Sequence, residues 1–374
     1  MKVLIVWSGA VVPAYQSFFW ELAKYMRVRV LAPHNWTHGS VAFNGATLNK
    51  EQGKWISRGC EILPVRYLFE KSSHYFVPEL AIHLLSFRPT HLYIMDEIDR
   101  PALLWHSLLA KLIRPSVKII CYALQNLPKP TYYKWHHWVS IRANSILVSK
   151  IIAASEEAKQ VLKLHAYPGA ATVIPLWASE SHFFPGTVSA KTEYRNALGI
   201  KDSEIVLLFS GSLVEAKGLL LLMSVLPRFP QIRLMTAGNG PLEATLRQGL
   251  GTQWIHRGGL SGEDLRCFYQ SGDYIILPSV TMGHWKEQVG RSLIEGILCD
   301  LIALGSDSGN IPALTLFPET SFAQSDVKSL SNVLRRLPLK NAEKVREVQR
   351  KNVLDHYTDV SVALQTSIFF GVTQ

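Results

Sequence analysis

Short apolar runs recur along this chain and alternate with stretches whose apolar positions repeat at helical spacing. In the first half, residues 3–7, 28–31, 91–95, 117–122, 151–154 and 172–176 read as strands. Phe18, Phe19, Leu22, Ala23 and Met26 predict a helix between the first two, and residues 103–112 predict another. Ser155 followed by Glu156 and Glu157 has the form of a helix N-cap with acids in the first turn. Residues 177–188, with Pro185 and Gly186 among them, read as a linker. The rhythm then restarts, with strands at 205–209, 233–236, 254–257, 274–277 and 301–304 and helices at 241–249 and 262–270. Strands separated by helices imply parallel sheets. The expected fold class is therefore α/β, with two facing doubly wound, Rossmann-like domains at residues 1–180 and 181–355, followed by a terminal helix at 356–374.

The second half has a feature that the first lacks. Nearly all of its strands end in small residues: Ser210-Gly211-Ser212, Ala237-Gly238-Asn239-Gly240, Gly258-Gly259, Pro278-Ser279 and Gly305-Ser306. The carboxyl ends of parallel strands border the ligand crevice, and glycine there allows backbone amides to approach a ligand. The first half offers only Ser8-Gly9. The nucleotide-binding half is expected to be the second.

The stretch from Trp285 to Glu295 carries the most chemistry. Glu287 sits in a loop, Gly290 opens a helix, and Glu295 lies inside that helix. A helix N-terminus at strand ends holds a phosphate, and two carboxylates flanking it can take sugar hydroxyls on either side. That arrangement suggests a nucleotide-sugar site.

Composition adds three points. The net charge of +10 is uneven: residues 1–180 have 20 Lys/Arg against 11 Asp/Glu, and residues 181–374 have 19 against 18. A one-sided positive field suggests an anionic partner for the first half. The basic, aromatic run Lys129–Trp138, followed by Arg142 and Lys150, suits an anionic membrane surface, a sugar ring or a nucleobase equally with a core-facing helix. The four cysteines are far apart with no C-x-x-C pair, which reads as reduced thiols in a cytoplasmic protein and gives no metal site. No apolar run approaches the roughly 20 residues that a spanning helix requires, so any membrane association is expected to be peripheral.

The ordered set of motifs resembles the retaining glycosyltransferases of family 4, a bacterial-type group 1 glycosyltransferase family built on the two-domain GT-B fold. The matching pieces are Gly211-Ser212-Leu213-Val214-Glu215-Ala216-Lys217-Gly218, then Gly238-Asn239-Gly240-Pro241-Leu242, then Asp273 with Leu277-Pro278-Ser279. Glu287 through Glu295 and Gly305-Ser306-Asp307-Ser308-Gly309-Asn310-Ile311-Pro312 complete the set. The resemblance covers about residues 205–315 and implies a hexose transfer from a nucleoside-diphosphate sugar to a hydroxyl of a glycan or lipid-linked acceptor. It implies a donor half, an acceptor half, a cleft between them, no cofactor and no metal. Cell-envelope polysaccharide or glycolipid synthesis is the expected setting, at the inner face of a membrane. The family's habit also implies that the last helix, near residues 354–370, crosses back to the first domain.

Residue roles follow from the resemblance. Glu287 would face the donor sugar, and Lys217 would neutralise charge on the leaving diphosphate. Backbone amides at Val289, Gly290 and Arg291 would meet the diphosphate, Glu295 the ribose, and Arg257 with Gly258 the base. Gly211, Ser212, Gly238 and Asn239 would line the donor site, and Gly9, Glu97, Gln125 and Asn126 are the acceptor-side candidates. Three positions depart from the family pattern: Ser212 replaces an arginine, Val289 a phenylalanine, and Trp177-Ala178-Ser179 a Gly-Val-Asp. Arg291 and Lys286 are the candidates to replace the lost cation. A sugar-nucleotide epimerase on the same fold and a non-catalytic glycan- or lipid-binding protein are the rival readings. Nucleic-acid binding explains the charge but not the paired glutamates.

Overall fold

Two parallel sheets organise the chain in the computed structural model, which describes residues 1–36, 46–47, 59–69, 74–128, 135–165, 167, 169–283 and 285–372. The chain divides into two compact units, one of Met1–Leu176 with Asp359–Gln374 and one of Trp177–Thr358. The junctions fall a few residues from those expected from the sequence.

The first unit contains β1 (Lys2–Val6), β2 (Arg27–Pro33), a small antiparallel pair β3 (Asn35–Trp36) and β4 (Ala46–Thr47), and β5 (Cys60–Val65). β6 (His91–Ile94), β7 (Lys118–Ala123), β8 (Lys150–Ala153) and β9 (Ala171–Val173) complete it. Its main sheet has the order β5-β2-β1-β6-β7-β8-β9, with every pairing parallel. The helices are α1 (Pro13–Leu22), α2 (Leu80–Phe87), α3 (Pro101–Ile113), α4 (Trp135–Leu147) and α5 (Glu156–Leu164). Val3 through Val6 are completely buried, as expected of a central strand covered on both faces. Ser155 caps α5, its side chain accepting a hydrogen bond from the Ala158 amide at 3.1 Å.

The second unit begins with packed chain and not with a loose linker. Trp177, Ala178 and Phe183 are buried, the Ala178 amide donates to the Tyr357 carbonyl, and α6 (Val188–Ala197) follows directly. Its strands are β10 (Ile205–Ser210), β11 (Ile232–Ala237), β12 (Trp254–His256), β13 (Tyr274–Leu277), β14 (Ile302–Ser306) and β15 (Ser321–Phe322). They are ordered β12-β11-β10-β13-β14-β15 and are all parallel. The helices are α7 (Leu219–Val225), α8 (Glu243–Leu250), α9 (Gly262–Gln270), α10 (Arg291–Leu298), α11 (Pro312–Thr315), α12 (Val327–Arg335) and α13 (Ala342–His356). α10 buries Leu293, Ile294, Ile297 and Leu298, and a Cβ on Gly296 would come within 2.8 Å of Ile275, so glycine lets the helix lie close to β13.

The last helix, α14 (Asp359–Phe370), belongs to the first unit. It packs on α1, sets Phe370 edge-on to His91 and Tyr93, and receives a hydrogen bond from Lys150 Nζ at the Phe369 carbonyl.

In both sheets the chain runs outward from a central strand, then returns to that strand's other side. This places a topological switch point between β1 and β6 in the first unit and between β10 and β13 in the second. Ligands of open parallel sheets bind outside the carboxyl ends of strands at such points.

Candidate active site

The loops leaving β10 and β13 meet at the second unit's switch point. After β10 the chain turns through Gly211 and reaches a short 3-10 turn at Glu215–Lys217, which ends at Gly218 with φ +71°. A Cβ on Gly218 would lie 1.7 Å from the Pro278 carbonyl oxygen, so only glycine lets this loop rest against the end of β13. That close approach brings Lys217 to Glu287. Lys217 Nζ stands 2.6 Å from Glu287 Oε2 and 5.0 Å from the centre of the Trp285 ring. Ser279 Oγ donates to the same carboxylate oxygen at 3.0 Å, and the Gly290 amide lies 3.4 Å from Oε1. Glu287 is buried and Lys217 partly so. The loop after β14 fixes Glu287 from behind, since a Cβ on Gly309 would fall 1.7 Å from the Glu287 carbonyl oxygen.

Gly290 caps α10 with φ +71° and ψ +39°. Arg291 Nε pairs with Glu295 Oε1 at 2.8 Å across one helical turn, and Tyr269 on α9 donates its hydroxyl to Glu295 Oε2 at 2.8 Å. Burial first, and then the Glu295 charge, push the Tyr269 phenol well above its ordinary range, so it acts here as a donor. Both carboxylate oxygens of Glu295 are thus oriented by protein groups and keep further lone pairs for a ligand. The Arg291 guanidinium is directed to Glu295, which leaves its backbone, at the helix start, as the part suited to an anion.

Several of the strand-end glycines serve packing between loops. Gly238 has φ +124°, its amide donates to the Gly258 carbonyl at 2.7 Å, and a Cβ there would meet the Gly211 carbonyl oxygen at 2.1 Å. The Leu213 amide donates to the Asn239 carbonyl at 3.0 Å. The loops after β10, β11 and β12 therefore form one hydrogen-bonded rim. Ser212 and Gly258 on this rim are partly exposed, Asn239 is exposed, and the exposed Arg257 lies over the Tyr194 ring.

The first unit's switch point collects acids. Asp96 Oδ1 accepts from the Glu97 amide at 2.8 Å and pairs with Arg100 Nε at 3.1 Å. Glu97 Oε1 accepts from the Leu124 amide at 2.9 Å. Burial pushes the Glu97 carboxyl up to about 7, against the lowering effect of that amide. Gln125 Nε2 donates to the Leu127 carbonyl at 2.7 Å and Asn126 Nδ2 reaches Glu157 Oε2 at 3.5 Å, so both amides make local contacts. Gly9 is buried, and a Cβ there would strike the Trp7 ring. Residues 129–134 of the basic aromatic run lie outside the described residues.

The structure thus brings Lys217, Glu287, Gly290, Arg291 and Glu295 together. It adds Ser279, Tyr269 and Trp285, to which the sequence reading gave no role. Ser279 stood in the strand-end motif, but nothing in the sequence indicated that its hydroxyl meets Glu287. Tyr269 is one residue of an ordinary amphipathic helix and gave no signal of its partner. Among the described residues no group of three His, Cys, Asp or Glu is placed to hold a metal ion, and no helix is long and apolar enough to cross a membrane.

Residues 190–353 match the family of glycosyl transferases group 1. This match and the fold support a group 1 glycosyltransferase. The chain is 27% identical over 179 residues to the sulfoquinovosyl transferase SQD2 of Arabidopsis thaliana, covering 45% of this chain and 34% of that one. It is 28% identical over 176 residues to a GDP-mannose-dependent monoacylated alpha-(1-6)-phosphatidylinositol monomannoside mannosyltransferase of Corynebacterium glutamicum, covering 44% and 46%. The chain therefore spans about a third and just under half of the length of these curated relatives. Over its whole length and all of the other chain it matches the structure of Anabaena HepE in complex with UDP and glucose, with a TM-score of 0.73 at 16% identity. The fold is GT-B, with two Rossmann-like units.

Proposed function

We propose that this protein is a retaining, metal-independent glycosyltransferase of family 4. It moves a hexose from a nucleoside-diphosphate sugar to a hydroxyl of a glycan or lipid-linked acceptor, in cell-envelope polysaccharide or glycolipid synthesis. The observation that carries the reading is the Lys217–Glu287 pair at the Gly290 start of α10, with Glu295 one turn further inside. A phosphate group suits the helix start, and carboxylates on either side suit the sugar and the ribose.

In the proposed step the bond between the anomeric carbon and the β-phosphate oxygen breaks, and the acceptor oxygen bonds to that carbon on the same face. The acceptor proton passes to the leaving phosphate oxygen. Lys217 and the helix N-terminus stabilise the diphosphate as its charge develops, the role of a preorganised electrostatic site. Glu287, held by Ser279 and Lys217, accepts hydrogen bonds from sugar hydroxyls. Arg257 and Gly258 border the base, and Glu97, Gln125 and Asn126 lie on the acceptor side.

The names of the relatives support the substrate classes. One is a transferase dependent on GDP-mannose with an acylated phosphatidylinositol mannoside as acceptor. The HepE complex with UDP and glucose supports a nucleotide-sugar donor. The basic first half is assigned to contact with an anionic membrane surface, the protein otherwise residing in the cytoplasm.

A panel of sugar nucleotides, assayed for release of nucleoside diphosphate with and without membrane extract, tests the proposal. Release from at least one donor, increased by extract and unaffected by a metal chelator, is expected. Nucleotide binding without release from any donor overturns the transferase reading, and product formed from donor alone without release points to an epimerase.

A further inference from the structure

α4 is inside out. Its buried positions, His137, Ser140 and Asn144, are polar, whereas Trp135, Trp138, Val139 and Ile146 point to solvent. The loop after β6 meets part of the inward polar face, while Ser140 donates to the His136 carbonyl of its own helix and Asn144 Oδ1 has no hydrogen-bond partner among the described residues. His137 Nδ1 lies 2.9 Å from the Asp99 carbonyl oxygen, and Asn144 Nδ2 donates to the Ile98 carbonyl at 2.8 Å. An amphipathic helix on a water-soluble surface has the opposite arrangement. Trp135 is 78% exposed and Ile146 85% exposed, so neither is covered by the rest of the described chain.

The neighbouring helices bury apolar side chains inward, Leu80, Leu84 and Phe87 on α2 and Leu103 and Leu104 on α3, yet also turn large apolar side chains outward. α3 packs against both α2 and α4. It exposes Trp105, Leu108 and Leu112, the last 81% exposed, and α2 exposes Ile82 and Leu85. Beside α3 lies a groove of about 770 Å³ lined by Phe69, Phe76, Trp105, Leu108, Leu109 and Leu112, with His74 as its polar member. Outward apolar side chains on three adjacent helices mark a docking surface.

Charge selects the occupant. From Pro101 to Ser155 the sequence has seven Lys or Arg and no Asp or Glu. On α4 the Arg142 guanidinium lies over the exposed Trp138 ring. Indole rings with cations and aliphatic side chains suit the headgroup region of a bilayer, where the rings rest at the interface and cations meet anionic lipid. The cation that the structure sets among the exposed indoles is Arg142, which neither an apolar protein partner nor self-association requires.

We infer that the outward face of α2, α3 and α4 is the surface that seats the first unit on an anionic bilayer, with the groove beside α3 receiving a lipid acyl chain. The inference rests on the membrane contact proposed above and specifies which residues make it.

Vesicle flotation with the full-length protein tests it, using phosphatidylcholine alone and phosphatidylcholine with phosphatidylglycerol. Wild type is expected to float with the anionic vesicles and to be released by salt. Arg142→Glu should weaken partition by about fivefold or more, the scale of one charge near an anionic surface. Leu112→Ser/Trp135→Ser/Trp138→Ser should remain unbound while keeping the wild-type melting temperature, because these side chains are exposed. Lipids brominated on the acyl chain should quench wild-type tryptophan emission, with most of the quenching lost in Trp105→Phe/Trp135→Phe/Trp138→Phe. For the groove, Leu108→Ser should reduce the quenching further than it reduces flotation.

Wild type that ignores anionic vesicles overturns both the inference and the membrane contact, whereas nucleoside-diphosphate release without vesicles reports the transferase reading separately. Wild-type flotation by the triple variant leaves membrane contact standing and overturns this face as its site. A wild-type dimer that the triple variant dissociates, with no vesicle binding, assigns the face to a second copy and overturns the inference. Unchanged quenching in Leu108→Ser overturns the acyl-chain part.

Discussion

Replacing Lys217 with methionine keeps the length of the side chain but removes the charge that faces Glu287. At the observed 2.6 Å the gross attraction is about 6 kcal/mol for an effective dielectric constant near 20. Much of that is offset by the desolvation of both groups, and their side chains remain 20% and 10% exposed. Removing one partner of such a part-buried pair is expected to destabilise the second unit by about 2–3 kcal/mol, between the surface and fully buried cases. Lys217→Met/Glu287→Gln removes both charges and should recover all but about 1 kcal/mol of this loss, as a double-mutant cycle reports. Turnover should behave differently. Both the single and the double variant should lose at least about a hundredfold in nucleoside-diphosphate release, because charge stabilisation of the leaving group is absent in each. Urea unfolding of the second unit and steady-state release assays measure the two effects. A single variant within about 0.5 kcal/mol of wild type would refute the energetic coupling, and wild-type turnover would refute the assigned role.

Three further outcomes follow from particular contacts. Gly238→Ala must hold a side chain at φ +124° and 2.1 Å from the Gly211 carbonyl oxygen, so the second unit should lose about 3 kcal/mol or more, read by thermal unfolding. Tyr269→Phe removes the hydroxyl that orients Glu295, and donor KM should rise about five- to tenfold with kcat little changed; equal loss in both would contradict a ground-state positioning role. Glu97 has its carboxyl raised from 4.5 to about 7 by burial, so the folded first unit binds a proton that the unfolded chain releases. Its stabilising contribution is fully present below pH 4.5 and is lost as pH rises to 7. Glu97→Gln should flatten the fall in first-unit stability over that window by about 1–3 kcal/mol, allowing for its partial exposure, and an unchanged pH profile of melting temperature would contradict this.

Much of the scaffold was legible because buried parallel strands are unbroken apolar runs. β1, β10, β13 and β14 are found close to the positions read from the sequence. β5 escaped notice because Glu61 and Pro64 interrupt its apolar pattern, and β15 because Ser321–Phe322 is too short to show one. The stretch at 177–188 resembled a linker through Pro185 and Gly186, yet the tertiary environment buries Trp177 and Phe183. At the site, the motif order placed Lys217 and Glu287 at one end of one sheet, but contact between residues seventy positions apart depends on Gly218 lying against Pro278. Sequence spacing does not encode that approach. The inverted α4 is likewise invisible to composition, since Trp138 and Asn144 would ordinarily be assigned to opposite sides from those they occupy.

The most direct test follows a radiolabelled sugar from its nucleoside-diphosphate donor into a membrane lipid extract, with wild type and Glu287→Ala compared at equal nucleotide occupancy. The account predicts labelled product from wild type. It also predicts transfer lowered by roughly a thousandfold in the variant, the scale of losing a principal transition-state contact, with nucleoside-diphosphate affinity nearly unchanged. The second unit should be less stable by about 2–3 kcal/mol, the cost of losing one partner of the Lys217–Glu287 pair. Transfer by the variant at the wild-type rate would contradict the placement of the donor sugar at Glu287.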